Sequence, residues 1–399
     1  MADQTLARYV NERSLLRLLR VQGATTRADM ARQLRLTPAT VTRLVAEMAE
    51  RGLLSEGARP AASESGREPG RPGVAVALAP DGAFFLGVEI GVGVLRFALI
   101  DLAAQLVASS ERSVSRATPP EAVVAIIAAE IAALSADPRY HGRIRGVGVT
   151  VPGLVTLDGF VVHLPILGWK SVNLSELLSA ATDLPVLVEN NAAAAAFGAV
   201  YTEPQLPSLC TIFLKLGTGL GGAAIVNGRL MRGAYGTGGE FGHIRIAEDG
   251  IRCSCGQTGC LETFVNLAAL AREAGDDQGA GLADLVALPA AVAAAAEKGE
   301  ARALAAIETL GHHLARGIVV LVNIFNPTTV VLGGVMRPIL PLLLPILERD
   351  VAERIVPGMR MPEFRLSSLG LFECAIGAAT LAHQRAFGLP ELGIADGET

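Results

Sequence analysis

Three of the five cysteines in this 399-residue chain fall within eight residues, as Cys253-x-Cys255-x4-Cys260, and His243 stands ten residues before the first. Thiolates and imidazole are the ligands zinc prefers, and three Cys with one His complete a closed tetrahedral set. Gly256 and Gly259 let the loop turn tightly enough for Cys255 and Cys260 to converge. Glu240 and Glu262 bracket the cluster, so a metal here would also hold two hydrogen-bonding acids in place. A closed set leaves no coordination position for water, so the expected ion is structural and not hydrolytic. The plainer alternative is a group of reduced, buried thiols without metal; it gives no reason for the complete ligand set or for its spacing. A disulfide fits less well, because five cysteines in a long chain suit a reducing compartment and the polar N-terminus lacks the order of a signal peptide. No run approaches the unbroken apolar length of a membrane span. These features predict a cytoplasmic protein with no membrane partner.

A second polar group stands at the end of an apolar strand, Leu184-Pro185-Val186-Leu187-Val188, which delivers Glu189-Asn190-Asn191 just before an alanine-rich helix. Polar side chains at a strand's end, facing a cleft, are where a ligand would be gripped. An asparagine there can also serve only as the N-cap of the helix. The turn Gly217-Thr218-Gly219-Leu220-Gly221-Gly222 could cradle a phosphate with its N–H groups, although any tight hairpin uses glycine in this way.

The elements that must position these residues repeat. Residues 84–101 read as strand, glycine turn, strand, and residues 210–226 repeat the design; the turn glycines Gly91 and Gly217 lie 126 residues apart. Each half also has a later strand and Ala-rich helices, which predicts a duplicated α/β body with a cleft between its halves. The expected divisions are a first half over 81–200, a second half with the metal site over 201–385 and a loose tail over 386–399.

The net charge of −5 is uneven: residues 1–80 hold 12 Arg against 8 Asp+Glu, whereas the rest holds 22 Lys+Arg against 31 Asp+Glu. A basic head on an acidic body predicts that only the head meets an anionic polymer. Within the head, Leu6–Val21 reads as a first helix. Thr26 and Asp29 can form the capping box of a second, with Met30, Ala31 and Leu34 inward. Thr37 as N-cap and Pro38 in the first turn open a third, with Val41, Leu44, Val45 and Met48 inward and Gly52 as its stop. Two short helices about a tight turn describe a helix-turn-helix, with Ala39, Thr40, Thr42 and Arg43 toward the major groove. Residues 55–73 hold four Gly, three Pro and three Ser. They read as a solvated linker or as the ribbon of a wing whose tip carries Arg71 into a narrow minor groove.

At this point the sequence resembles the ROK family of sugar kinases and sugar-responsive repressors. The resemblance covers residues 84–385 in the body, and the head is similar to that of the repressor branch. It rests on Glu240-x-Gly-His243, on Cys253-x-Cys-Gly-x-x-Gly-Cys260-Leu-Glu262, and on Val151-Pro152-Gly153-Leu154. Leu167-Gly168-Trp169, Glu189-Asn190-Asn191-Ala192, the Gly217 turn, Val331-Leu332-Gly333-Gly334 and the wing motif Gly70-Arg71-Pro72 add to it. It implies a winged helix-turn-helix followed by a duplicated actin/hexokinase-like (ribonuclease H-like) ATPase-type fold. It implies zinc at His243, Cys253, Cys255 and Cys260, and a sugar held by Gly153, Asn190, Asn191, Glu240, His243 and Glu262.

Three positions depart from the family's kinases. Asn191 stands where they carry the Asp that deprotonates the sugar hydroxyl, and an amide can hold a hydroxyl but not take its proton. Their first phosphate turn, Asp-x-Gly-Gly-Thr, is Glu89-Ile90-Gly91-Val92-Gly93 here. Ile166 stands where many members have Asn. Losing the base and the phosphate turn together predicts loss of phosphoryl transfer, with no ATP bound. The expected function is therefore a sugar-relieved repressor, a homodimer or dimer of dimers on a pseudo-palindromic operator read by Thr37, Pro38, Ala39, Thr40, Thr42, Arg43 and Arg71. The alternative is a ROK-type sugar kinase with a regulatory head.

Overall fold

The structure, a computed structural model, describes residues 2–58, 74–203, 206, 209–276 and 281–388. The head opens with α1 (Ala2–Gln22), whose Leu15, Leu16 and Leu19 are buried. A two-residue strand, β1 (Thr25–Thr26), leads into α2 (Arg27–Leu34). The Thr26 hydroxyl accepts from the Asp29 N–H at 3.2 Å and donates to the Asp29 carboxylate at 2.8 Å. Such a cap is worth about 1 kcal/mol. α2 ends at Arg35, in the left-handed region at φ 54°, which turns the chain sharply into α3 (Pro38–Glu50). The Thr37 hydroxyl caps α3 by accepting from the Thr40 N–H at 3.2 Å, and Val41, Leu44, Val45 and Met48 form its buried face. β2 (Leu54–Ala58) and β3 (Ala75–Leu78) pair antiparallel, and β3 also pairs with β1. Three helices against this small sheet make a winged helix. The expected wing tip, including Arg71, lies outside the described residues.

The first half of the body contains β4 (Phe84–Ile90), β5 (Val94–Asp101), β6 (Leu106–Ser113), α4 (Pro120–Ala136) and β7 (Ile144–Val151). β8 (Leu154–Val155), β9 (Phe160–Leu164) and β10 (Trp169–Asn173) form a small side sheet; α5 (Leu174–Ala181), β11 (Val186–Asn190) and α6 (Asn191–Thr202) follow. The second half contains β12 (Cys210–Leu216), β13 (Leu220–Val226) and β14 (Arg229–Leu230), then α7 (Leu267–Ala274), α8 (Leu282–Glu297) and α9 (Ala301–Phe325). It closes with β15 (Thr329–Gly333), α10 (Leu340–Arg354), β16 (Glu363–Leu366) and α11 (Glu373–Phe387).

The duplication is visible in the strand order. One sheet runs β6-β5-β4-β7-β11 and the other β14-β13-β12-β15-β16. In both, the first three strands are antiparallel and the last two run parallel to the first. The Gly91 and Gly217 turns hold the same place, each closing the first hairpin of its half.

The terminal helices cross over. α6 packs on β12 and β13 of the second sheet, whereas α11 packs on β4, β5 and β7 of the first. Small residues make this possible. A Cβ on Gly377 would meet the Ala194 carbonyl at 2.0 Å, and one on Gly148 would meet the Ala378 carbonyl at 2.0 Å. Ala386 and Phe387, expected in a loose tail, instead complete α11, and the Phe387 ring lies 5.8 Å from that of Phe85. α9 is long and apolar enough to cross a membrane by length and composition. Its Ala303, Ile307, Leu310, Leu314, Ile318 and Leu321 are buried at helical spacing, the stripe of a core helix.

The head is seated on the body. Leu15, Leu16 and Leu19 share a core with Phe85, Leu102, Ala379 and Ala382, and Tyr201 packs beside them. The Arg20 guanidinium stacks 3.8 Å from the Tyr201 ring centroid and donates to the Tyr201 carbonyl at 2.6 Å. The Tyr201 hydroxyl in turn bonds to His383 Nδ1 at 2.8 Å.

Candidate metal centre and ligand cleft

Residues 238–262 leave β14 as a loop tied by two 3-10 turns, Phe241–His243 and Leu261–Thr263. The Leu261 N–H bonds to the Ile244 carbonyl at 2.9 Å, which brings the two turns side by side. As a result, the ligand atoms of His243, Cys253, Cys255 and Cys260 all lie within 4.8 Å of one another. Cys253 Sγ is 3.3 Å from His243 Nδ1, and the Cys255 and Cys260 sulfurs are 3.6 Å apart. Zinc–ligand bonds of about 2.0–2.3 Å in a tetrahedron put ligand atoms about 3.5–3.8 Å apart. The donor set therefore fits a metal ion, and its two close pairs lie near that spacing. All five cysteines are free of disulfides. Burial pushes the Cys253 and Cys260 thiols up, whereas the Gln257 N–H holds the exposed Cys255 down. A divalent cation is what would ionise the whole set.

The histidine faces two ways. Its Nδ1 is turned to Cys253, and its Nε2 lies 3.6 Å from Glu240 Oε2. Glu262 closes the group: its Oε1 is 3.7 Å from His243 Nδ1 and accepts from the Cys253 thiol at 2.8 Å and from the Ser254 hydroxyl at 3.2 Å. Burial pushes the Glu240 carboxyl above the ordinary range; His243 opposes the shift and Glu262 adds to it. A Cβ on Gly219 would meet Glu262 Oε2 at 2.9 Å, so the second glycine turn lies against this carboxylate.

The other wall comes from β11 and α6. The Asn190 amide oxygen accepts from the Ala192 and Ala193 N–H groups at 2.8 and 3.1 Å, and its amide nitrogen donates to the Gly153 carbonyl at 3.0 Å. Asn190 is thus the helix cap that its sequence position allowed, and Gly153 anchors it. Asn191 is buried, and its amide oxygen has no hydrogen-bond partner among the described residues. Gly153, Asn190 and Glu240 line one narrow gap of about 10 Å³, which brings the two walls together. Ile166 does not reach it; its side chain packs against the core of the first half.

Sequence reasoning missed Arg232. Its Nε donates to Glu189 Oε2 at 2.9 Å, while Glu189 Oε1 accepts from the Asn190 N–H at 2.9 Å. The Arg232 carbonyl accepts from the Gly238 N–H at 2.9 Å. One residue thereby ties the Asn190 wall to the Glu240 wall. Only the polar run 189–191 hinted at a missing counter-charge. Beside the altered first turn, Glu89 of β4 is buried and pairs with Arg96 of β5 at 3.1 Å. In the head, Thr37, Pro38, Ala39, Thr42 and Arg43 are exposed on one end of α3 and Thr40 is half-buried. The Thr42 hydroxyl donates back to the Pro38 carbonyl at 2.8 Å, and Arg43 has no ion-pair or hydrogen-bond partner among the described residues.

Residues 85–385 match the ROK family, and residues 10–60 match the MarR family. The chain belongs to the ROK family. A glucokinase of Halalkalibacterium halodurans is 30% identical over 76% of this chain and 96% of its own length. A xylose repressor of Bacillus subtilis is 27% identical over 96% of this chain and 97% of its own length, and so aligns with head and body alike. A solved ROK family transcriptional regulator, a homolog of the Escherichia coli MLC protein, superposes with a TM-score of 0.79 at 25% identity, covering 96% of this chain and 97% of the other. The expected architecture, a winged helix-turn-helix ahead of an actin/hexokinase-like fold, is the one observed, and the match identifies its head as MarR-type.

Proposed function

We propose that this ROK protein is a sugar-responsive transcription repressor, released from DNA by its sugar and without kinase activity. The observation that carries the reading is a winged helix packed directly on a ROK body whose base position is an amide, Asn191. The first turn of α3 would enter the major groove with Thr37, Pro38, Ala39, Thr40, Thr42 and Arg43, and Arg71 would reach a neighbouring minor groove. Two copies, alone or within a dimer of dimers, would meet the half-sites of a pseudo-palindrome.

In the body, Asn190, Asn191, Glu240, His243 and Glu262 would hold the sugar hydroxyls, with Gly153 fixing Asn190. The unpaired Asn191 oxygen is an acceptor awaiting a donor. Zinc on His243, Cys253, Cys255 and Cys260 would supply a structural cross-link that fixes the tautomer and aim of His243. As a thiolate, Cys253 could no longer donate to Glu262, which would leave that carboxylate available to the sugar.

α6 offers the route to the head. Asn191 opens this 12-residue helix, and Tyr201 near its other end holds Arg20 of α1. A sugar that draws on Asn191 would move one rod whose far end carries the head. Release follows only if the sugar binds the DNA-free arrangement more tightly. A mobility-shift assay on the promoter beside its own gene, repeated with a panel of sugars, tests the reading. Absence of a shifted band on every neighbouring promoter would sink it.

A second reading, an active sugar kinase with a regulatory head, is favoured by the 30% identity of the body to a glucokinase. Against it stand Asn191 and the Glu89–Arg96 pair beside the altered first turn. ATP consumption over common hexoses, pentoses and amino sugars, abolished by Glu240→Ala, would support that reading.

A further inference from the structure

A cavity of about 390 Å³ lies at the seam between head and body, away from the metal cluster. Its walls are α1, the far end of α6, the β13–β14 hairpin and α11. Arg17, Arg20, Arg229 and Arg232 all line it, and no Asp or Glu does among the described residues. This is unexpected in a chain of net charge −5. Four guanidinium groups around one space repel each other, and pairing with carboxylates is the usual remedy. Only two of the four are engaged: Arg20 with Tyr201, and Arg232 with Glu189. Arg17 and Arg229 are exposed and have neither an ion pair nor a hydrogen bond among the described residues. The floor is apolar, with Leu16, Leu102, Phe197, Leu230 and Phe387. A space with unpaired guanidinium groups at its edge and a hydrocarbon floor suits an anionic head on a carbon skeleton. Phosphate is the anion that guanidinium forks bind bidentately.

We propose that this cavity is a binding site for a phosphate monoester, with Arg17 and Arg229 as the primary phosphate ligands and Arg20 and Arg232 beside them. The ligand would touch α1 of the head and the β13–β14 hairpin of the body at once, and so fix the head's orientation. It would also compete with Glu189 for Arg232, the residue that ties the two walls of the sugar cleft. The site shares Leu230 and Arg232 with the gap in that cleft but does not depend on the sugar reading.

Isothermal titration of the full-length protein with inorganic phosphate, glucose 6-phosphate, AMP and neutral glucose tests this, using wild type, an Arg17→Gln/Arg229→Gln double variant and Glu262→Ala. At least one phosphate probe should bind wild type and Glu262→Ala alike, and at least about tenfold more weakly to the double variant. Which probe binds best identifies the source of the phosphate. Both arginines are exposed, so the double variant should keep the wild-type melting temperature, and its response to neutral glucose should be unchanged. Four results would overturn the proposal. One is failure of wild type to bind any probe at about 10 mM, well above a millimolar dissociation constant. Another is loss of phosphate binding in Glu262→Ala, which would put the ester in the sugar cleft. A third is a fall in operator affinity of the double variant without any phosphate, which would assign the arginines to DNA. The last is binding only in a chain ending at Gly388, which would assign the cavity to the acidic segment that follows.

Discussion

Asn191 carries an amide oxygen that is buried and unpaired, an arrangement that costs about 1–3 kcal/mol until a donor arrives. A sugar hydroxyl is such a donor. Asn191→Ala should therefore weaken sugar binding about 5- to 150-fold by titration calorimetry while operator binding stays at wild-type strength. Asn191→Asp supplies a carboxylate but should give no ATP turnover in a coupled assay, because Glu89 and Arg96 still pair beside the altered first turn. At the cluster, Cys255 is the exposed cysteine. Cys255→Ser should reduce bound zinc from about one per chain toward zero by elemental analysis. The variant should still shift the operator but should lose its response to sugar. A normal response in a zinc-free variant would show that the metal does not position His243. These residues were legible in the sequence because ligand type and spacing are local properties. Arg232 was not, since its partner Glu189 lies 43 residues away and meets it only in the fold.

The cap chemistry of the head was equally legible: Thr26 and Thr37 act within three residues of themselves, and both do so in the structure. The duplication could also be read, because strand, glycine turn and strand repeat along the chain. The crossing of α6 and α11 could not. Their alanines and glycines look like generic helix formers, and their spacing does not reveal that each helix packs on the other half's sheet. The seam makes a sharp demand. Gly377→Ala would place a Cβ against a backbone carbonyl that has no rotamer to change, forcing the helices apart at a cost of about 3 kcal/mol. Its denaturant midpoint should fall accordingly with an unchanged slope. Arg20→Ala tests the other end of α6. It removes the stacking and the bond to Tyr201 without touching the sugar cleft or the metal cluster. Operator binding should persist, and the sugar-induced loss of binding should shrink at least about fivefold.

Across the whole molecule, α11 carries a buried glutamate and a buried histidine whose effects on stability have opposite sign. Burial depresses His383 from 6.5 to about 4; it sits under Tyr201 at the joint with the head. Burial raises Glu373 from 4.5 to about 7, with Lys215 opposing the shift and Glu89 adding to it. For His383 the unfolded chain binds more protons between about pH 4 and 6.5, so its contribution to stability is present above that window and is lost as pH falls through it. For Glu373 the folded chain binds more protons between about pH 4.5 and 7, so its contribution is present below that window and is lost as pH rises through it. The two windows overlap, and shifts of similar size should nearly cancel between about pH 4.5 and 6.5. Substitution separates them. In Glu373→Gln the histidine acts alone, so the urea midpoint should rise with pH across this window relative to wild type. In His383→Gln the glutamate acts alone, and the midpoint should fall with rising pH. Other carboxylates titrate in the same range, but they are common to all three proteins and drop out of the differences in slope. Parallel pH profiles for wild type and both variants would show that neither group is held away from its ordinary value in the folded chain.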